Sequence, residues 1–195
     1  MRILIFSFAM CLLAAFSSCS KSETPPAVNT TQDTAAPTPA ASPETPALDA
    51  CSLLTSEEIE SVQGEPLQDM KSTGKAGGTY SLSQCSFTLP TFTNSISLTV
   101  IGKGAGPGGG DPKQLWDETF SKETPLMKGT GKTGPPQKIE GLGDEAYWVG
   151  NDIIGALSVL KGSHYFTISV GGAGGQAAKL EKSKKLAEFA ITRLQ

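Results

Sequence analysis

Histidine is nearly missing from this chain: His164 is the sole one in 195 residues. A metal centre built on paired imidazoles and an HExxH helix are therefore both excluded. Basic residues are not in excess, with 16 Lys and Arg against 19 Asp and Glu and a net charge of −3. That balance lacks the positive footprint that nucleic acid binding requires, so nucleic acid is not an expected partner. No CxxC pair and no GxSxG nucleophile elbow occur, which removes the local signatures of a zinc site and of an α/β-hydrolase serine. No apolar run approaches the ~20 residues needed to cross a bilayer.

The longest apolar run is Ile3 to Phe16, preceded by Arg2 and followed by Ser17, Ser18 and Cys19. A positive residue, a short apolar core and small residues before a cleavage point describe a secretory signal. Phe16-Ser17-Ser18-Cys19 resembles a bacterial lipobox, although Phe16 stands where Leu is usual. Cys11 follows Met10 rather than a small residue and has too little apolar core before it. The expected product is residues 1–18 removed as a lipoprotein signal peptide and Cys19 carrying a thioether-linked diacylglycerol and an acylated amine. A single acyl chain holds a protein only marginally, and several make a stable anchor. The membrane, reached through lipid on Cys19, is thus one expected partner. The protein is expected to be exported and anchored to the cell envelope; with Ser20 next, a cell with two membranes would send it to the outer one. The alternative is ordinary secretion with cleavage near Ser18.

Of four cysteines, Cys11 leaves with the signal and Cys19 is taken by lipid. Cys51 and Cys85 remain in an oxidising compartment, so a Cys51–Cys85 disulfide is expected. Between Cys19 and Ala50 the chain is rich in Pro, Thr and Ala and has one Leu and one Val. Such a segment has too little apolar surface to offset its ordering entropy and reads as a flexible spacer. Residues 19–50 are therefore assigned to a lipidated tether and residues 51–195 to one disulfide-stapled domain.

Within that domain, Thr55 and Glu58 form a capping box ahead of a helix that Gly64 stops. A weak strand is expected over Pro66–Ser72. Tyr80–Leu89 changes parity near Ser83, which suggests a bulge or short turn. Asn94–Ile101 alternates clearly, with Ile96, Leu98 and Val100 on one side. Asp111 and Pro112 start a second helix. Glu145–Val149, Asp152–Leu160 and His164–Val170 read as a meander with turns at Gly150-Asn151 and Lys161-Gly162. A last helix runs from Gln176 to Leu194, with Leu180, Ala187, Ala190, Ile191 and Leu194 inward and Lys179, Lys182, Lys184 and Lys185 on its outer, solvated side. The expected class is α+β: a two-layer sandwich of a mainly antiparallel sheet packed with about three helices. Two halves, each a helix followed by three strands, form a pseudo-repeat.

Gly104 to Gly109 fits GxGxxG, but a dinucleotide site also needs a parallel βαβ unit, and a connector is the better reading. Gly129-Thr-Gly-Lys-Thr133 lacks the first glycine of a phosphate loop, since Leu126 stands there. Adjacent Asp144 and Glu145 point to opposite sides of a strand and make no acid–base couple; Asp144 is expected to close the Gly141–Gly143 turn. No catalytic residue, metal ligand or cofactor is assigned. Tyr147, Trp148 and Tyr165, with Phe92, form a candidate binding patch if one of them is exposed.

Three segments carry a family resemblance: Cys51-Ser-Leu-Leu-Thr-Ser-Glu-Glu-Ile59 entering the helix that ends at Gly64, Cys85-Ser-Phe87 in a strand, and Gly141-Leu-Gly-Asp-Glu-Ala-Tyr147 before the final meander. They are similar to segments of a family of small bacterial envelope lipoproteins of unknown function, best known from actinobacteria, over the whole folded domain. The resemblance implies the anchor, the disulfide and the α+β layout, and assigns no activity. The expected function is a non-catalytic domain that binds an envelope protein or small ligand. The alternatives are a small envelope hydrolase using His164, or a purely structural surface protein.

Overall fold

The computed structural model describes residues 48–122, 125, 128 and 134–194. The signal segment, Cys19, the tether up to Ala47 and the Gly129–Thr133 motif lie outside the described residues.

The domain begins slightly before Cys51. Leu48 packs against the core, and the Asp49 carboxylate accepts from the Cys51 N–H at 3.0 Å, capping a 3-10 turn over Ala50–Leu53. Helix α1 follows over Ser56–Gln63. Its capping box is complete: Thr55 Oγ1 accepts from the Glu58 N–H at 3.3 Å, and the Glu58 carboxylate accepts from the Thr55 N–H at 2.9 Å. Gly64, at φ 78°, ends it in the left-handed region that glycine tolerates.

Seven strands make one antiparallel sheet: β1 (Asp69–Lys75), β2 (Tyr80–Thr88), β3 (Ile96–Lys103), β4 (Gln137–Lys138), β5 (Glu145–Gly150), β6 (Gly155–Lys161) and β7 (His164–Val170). The order across the sheet is β1-β2-β3-β7-β6-β5-β4. Helix α2 spans Pro112–Thr119, with the Asp111 carboxylate accepting from the Lys113 N–H at 2.9 Å. Helix α3 spans Gly175–Thr192.

The α+β class and the antiparallel sheet are as the sequence reads; several local expectations are corrected. β2 carries no bulge, because its register with β3 runs unbroken from Tyr80 opposite Lys103 to Phe87 opposite Ile96. The parity change arises because β2 has apolar residues on both faces. β1 lies three residues later than expected. β6 starts at Gly155 rather than Asp152, since Asn151 Oδ1 accepts from the Ile153 and Ile154 N–H groups at 2.8 and 2.9 Å and makes a turn of the intervening residues.

Helices α1 and α3 pack together over one face of the sheet. There Cys85, Phe87, Leu98, Trp148, Leu157, Phe166 and Ile168 meet Leu186, Ala187 and Ala190 in the main core. The Cys51–Cys85 disulfide is formed, with Cα atoms 5.0 Å apart, and ties the 3-10 turn to β2. Strands β1–β2–β3 and β5–β6–β7 meet antiparallel at β3 and β7, so the two halves repeat in their strands. They do not repeat in their helices. Helix α2 packs on the opposite face, where Trp116 and Phe120 cover Leu160 and Tyr165.

Candidate functional site

Strand alternation gives the second face to Leu82, Gln84 and Ser86 of β2, Ser97, Thr99 and Ile101 of β3, Tyr165, Thr167 and Ser169 of β7, and their partners on β6 and β5. Helix α2 covers only the end that holds Ile101, Tyr165, Leu160 and Tyr147. Beyond that end the side chains are partly exposed, apart from Ser158, which is buried. Two cross-strand rows lie there: Gln84, Thr99, Thr167 and Ser158, then Ser86, Ser97, Ser169 and Ala156. The face is rich in hydroxyls, and Ser158 Oγ and Thr167 Oγ1 pair at 3.1 Å.

At the open end of this face is a shallow depression of about 220 Å³, lined by Val149, Ile154, Gly155, Ala156 and Ser169. The loops at the same end of the sheet carry the most exposed large apolar side chains of the described residues: Phe92 at 79%, Ile153 at 82% and Ile154 at 59%. Neither loop hangs free. The Phe92 loop is held by Glu65, whose carboxylate accepts from the Thr91 N–H at 2.9 Å and from Asn94 Nδ2. The Thr91 N–H bond is the main reason the Glu65 carboxyl lies below its usual range. The Ile153–Ile154 turn is held by the two bonds to Asn151, by Gln176 N–H donating to Asp152 Oδ1 at 3.3 Å, and by Lys179 Nζ donating to Asp152 O at 2.5 Å.

The expected aromatic patch is not one surface. Trp148 is 1% exposed and points into the main core, against Gly150 and Gly155. Tyr147 and Tyr165 lie on the other face, under α2. Tyr147 stacks on Phe120 with centroids 4.7 Å apart, and Trp116 meets Tyr165 edge-on at 5.1 Å. These rings are spent on packing against Trp116 and Phe120 at α2. Phe92 is exposed, but it sits at the far end of β3 from Tyr165.

His164 is half-buried, and desolvation alone lowers its pKa from the usual imidazole value. No described side chain hydrogen-bonds or ion-pairs with it. Among the described residues no group of three or more His, Cys, Asp or Glu side chains could hold a metal ion. Asp144 closes the β6–β7 turn rather than its own: its carboxylate accepts from the Gly162 N–H at 2.7 Å and meets Lys161 Nζ at 3.4 Å. The GxGxxG loop packs on the β1–β2 hairpin, with the Gly104 and Gly110 N–H groups donating to Thr79 O at 3.2 and 2.6 Å. A Cβ at Gly104 or Gly109 would strike backbone, so these glycines serve close chain approach. With both neighbours of β3 antiparallel, the parallel βαβ unit of a dinucleotide site is not formed here.

The lysines of α3 are not all solvated. Lys179 is 4% exposed, and Lys182 Nζ donates to Gln63 Oε1 at 2.8 Å, joining α3 to the end of α1. The helix buries Lys179, Ser183, Leu186, Ala187 and Ala190, a stripe rotated from the expected one, and Leu194 is buried just past its end. The polar members of that stripe hid it from a reading of hydrophobicity. The end of α3 is clasped to the start of α1 by Arg193, which donates to Leu53 O at 3.1 Å and to both Glu58 carboxylate oxygens at 3.0 and 2.9 Å.

Comparison with family models, with curated proteins and with solved structures gives no match in any of the three. No helix among the described residues is long and apolar enough to cross a membrane.

Proposed function

We propose that this chain is a lipid-anchored envelope lipoprotein whose tethered domain binds a partner protein or small ligand without catalysis. The reading places it with the small envelope lipoproteins it resembles. The anchor rests on the apolar run to Phe16 and on Ser17-Ser18-Cys19. A formed Cys51–Cys85 pair suits an exported, oxidising compartment.

The observation that carries the binding role is the exposed Ile153–Ile154 pair at the Val149–Ala156 depression, with Phe92 exposed on a second loop at the same end of the sheet. Exposed apolar side chains on mobile loops would lose ordering entropy on contact. These stand on loops already fixed by hydrogen bonds, so contact is made at lower entropic cost. Large apolar side chains exposed at one end of a sheet, next to a depression, suit an interaction site.

Two measurements on the full chain test the two parts separately. Metabolic labelling with an alkyne fatty acid should mark the wild type and leave Cys19→Ala unlabelled; an unlabelled wild type removes the anchor. A photoreactive residue at position 153 should give a discrete crosslinked species on living cells. That species should vanish when Phe92→Ser and Ile154→Ser are added. No species from positions 92, 153 or 154 would sink the binding role.

A further inference from the structure

We propose that β1 is a self-association edge, where two copies of this chain pair β1 against β1 about a two-fold axis through Ser72. β1 ends the sheet, and all seven of its residues are exposed. An open edge of that length is a template for a further strand unless its side chains forbid one. Here they favour one particular partner.

A two-fold axis that joins antiparallel strands stands perpendicular to the sheet, so only residues of equal parity face one another. With the axis on Ser72, Asp69 lies opposite Lys75 of the second copy, and the same pair forms again on the other side of the axis. Met70, 49% exposed, lies opposite Gly74 and gains cover; Lys71 lies opposite Thr73. Moving the axis to Lys71 would put two lysines face to face, and moving it to Thr73 would set Lys71 against Lys75. Like charges directly opposite destabilise a strand pair, and unlike charges support it. The Ser72 register is thus the one that pairs β1 along its full length with no like-charge contact between strand residues. Asp69, Lys71 and Lys75 make no ion pair among the described residues, so their charges are available.

The same axis keeps both helical faces on one side of the joined sheets. It also brings the two Asp49 carboxylates towards each other, each bonded by its own Ser72 Oγ at 3.1 Å and Cys51 N–H at 3.0 Å; their repulsion opposes the pairing, and the two Asp69–Lys75 pairs must outweigh it. Both chains then enter their domains from the same side, as two copies on one surface would need. The pairing itself does not depend on the lipid anchor.

The test uses two differently tagged copies of the full chain, coexpressed, extracted in excess detergent and isolated through one tag. Wild-type copies should co-isolate. Asp69→Lys in both copies, or Lys75→Asp in both, should reduce co-isolation to background by setting like charges opposite. Asp69→Lys in one copy with Lys75→Asp in the other should restore it. All of these positions are exposed, so folding should be unaffected, and circular dichroism of each variant checks this. Wild-type copies that do not co-isolate, co-isolation indifferent to the single swaps (as a shared micelle would give), or failure of the complementary pair would each overturn the proposal.

Discussion

The indole Nε1 of Trp116 donates to Glu145 Oε2 at 3.0 Å, so the first residue of β5 holds the helix that lies across it. Trp116 is 1% exposed, and its N–H is the polar end of an otherwise apolar cluster with Phe120, Leu160 and Tyr165. Glu145→Ala would leave that donor buried without a partner, a loss of about 1–3 kcal/mol. Glu145→Gln keeps an acceptor oxygen and should recover most of it. Urea unfolding followed by tryptophan fluorescence reads both variants. Equal stability of Glu145→Ala and wild type would show that the bond contributes nothing.

The Cys51–Cys85 bridge spans a sequence separation of 34. Closing a loop of that size restricts the unfolded chain, by roughly 4 kcal/mol on the chain-entropy account. A Cys51→Ser/Cys85→Ser double variant should unfold at markedly lower denaturant with a larger m-value, since its unfolded state is freer to expand. The wild type should fall to the variant's midpoint when a reductant is present. No response to reductant in protein purified from its own cell would mean the bridge is not made there.

Much of this architecture is legible in the residues, and the reasons for the rest are physical. Thr55 and Glu58, Asp111 and Pro112, and the Ile96-Leu98-Val100 alternation act locally, so their elements can be read without the partner surfaces. Cys51 and Cys85, the two cysteines outside the expected signal and lipid site, are paired. What escaped is decided by tertiary contact. Lys179 looks solvated until Asp152 O is seen to receive its ammonium, and its aliphatic stem then counts as core. Tyr147 and Tyr165 look available until α2 is found on their face rather than beside α3. Phe92, Ile153 and Ile154 carry no period that distinguishes a fixed apolar rim from a strand end. Only the bonds to Glu65, Asn151 and Asp152 do that.

Asp144 ties the start of β5 to the β6–β7 turn, and its pKa is lowered from 3.8, first by the Gly162 N–H bond and then by Lys161. A carboxyl with a folded pKa below its unfolded value contributes stability that is present above the unfolded pKa. That stability is lost as pH falls through the folded one. The contribution of Asp144 should therefore be full at neutral pH and fade below about pH 4. Asp144→Asn should be less stable than wild type at pH 7, and the difference should shrink on acidification. Denaturation midpoints measured across that range check it. A difference that grows as pH falls has the wrong sign and rejects the account.

Gly155 opens β6 beside the Trp148 ring, and a Cβ there would overlap Cη2 and Cζ2 of its six-membered ring. Gly150, paired with Gly155 across the strands, is nearly as tight, with a Cβ placed 2.8 Å from Trp148 Cζ2. Trp148 cannot yield, since it is 1% exposed and backed by the main core. Gly155→Ala should therefore carry an overpacking cost of about 1–3 kcal/mol and shift the near-ultraviolet dichroism of the indole. Gly77→Ala is the matched control: nothing lies within 4 Å of a Cβ there, and the change should stay within about 0.5 kcal/mol. The methyl points at Trp148 and away from the face that carries Val149, Ala156 and Ser169, so crosslinking from position 153 should change only if displacement of the ring reshapes the depression that Gly155 helps line. Loss of stability with crosslinking intact would separate the packing of Trp148 from the binding rim. Wild-type stability in Gly155→Ala would mean that the ring has room to move.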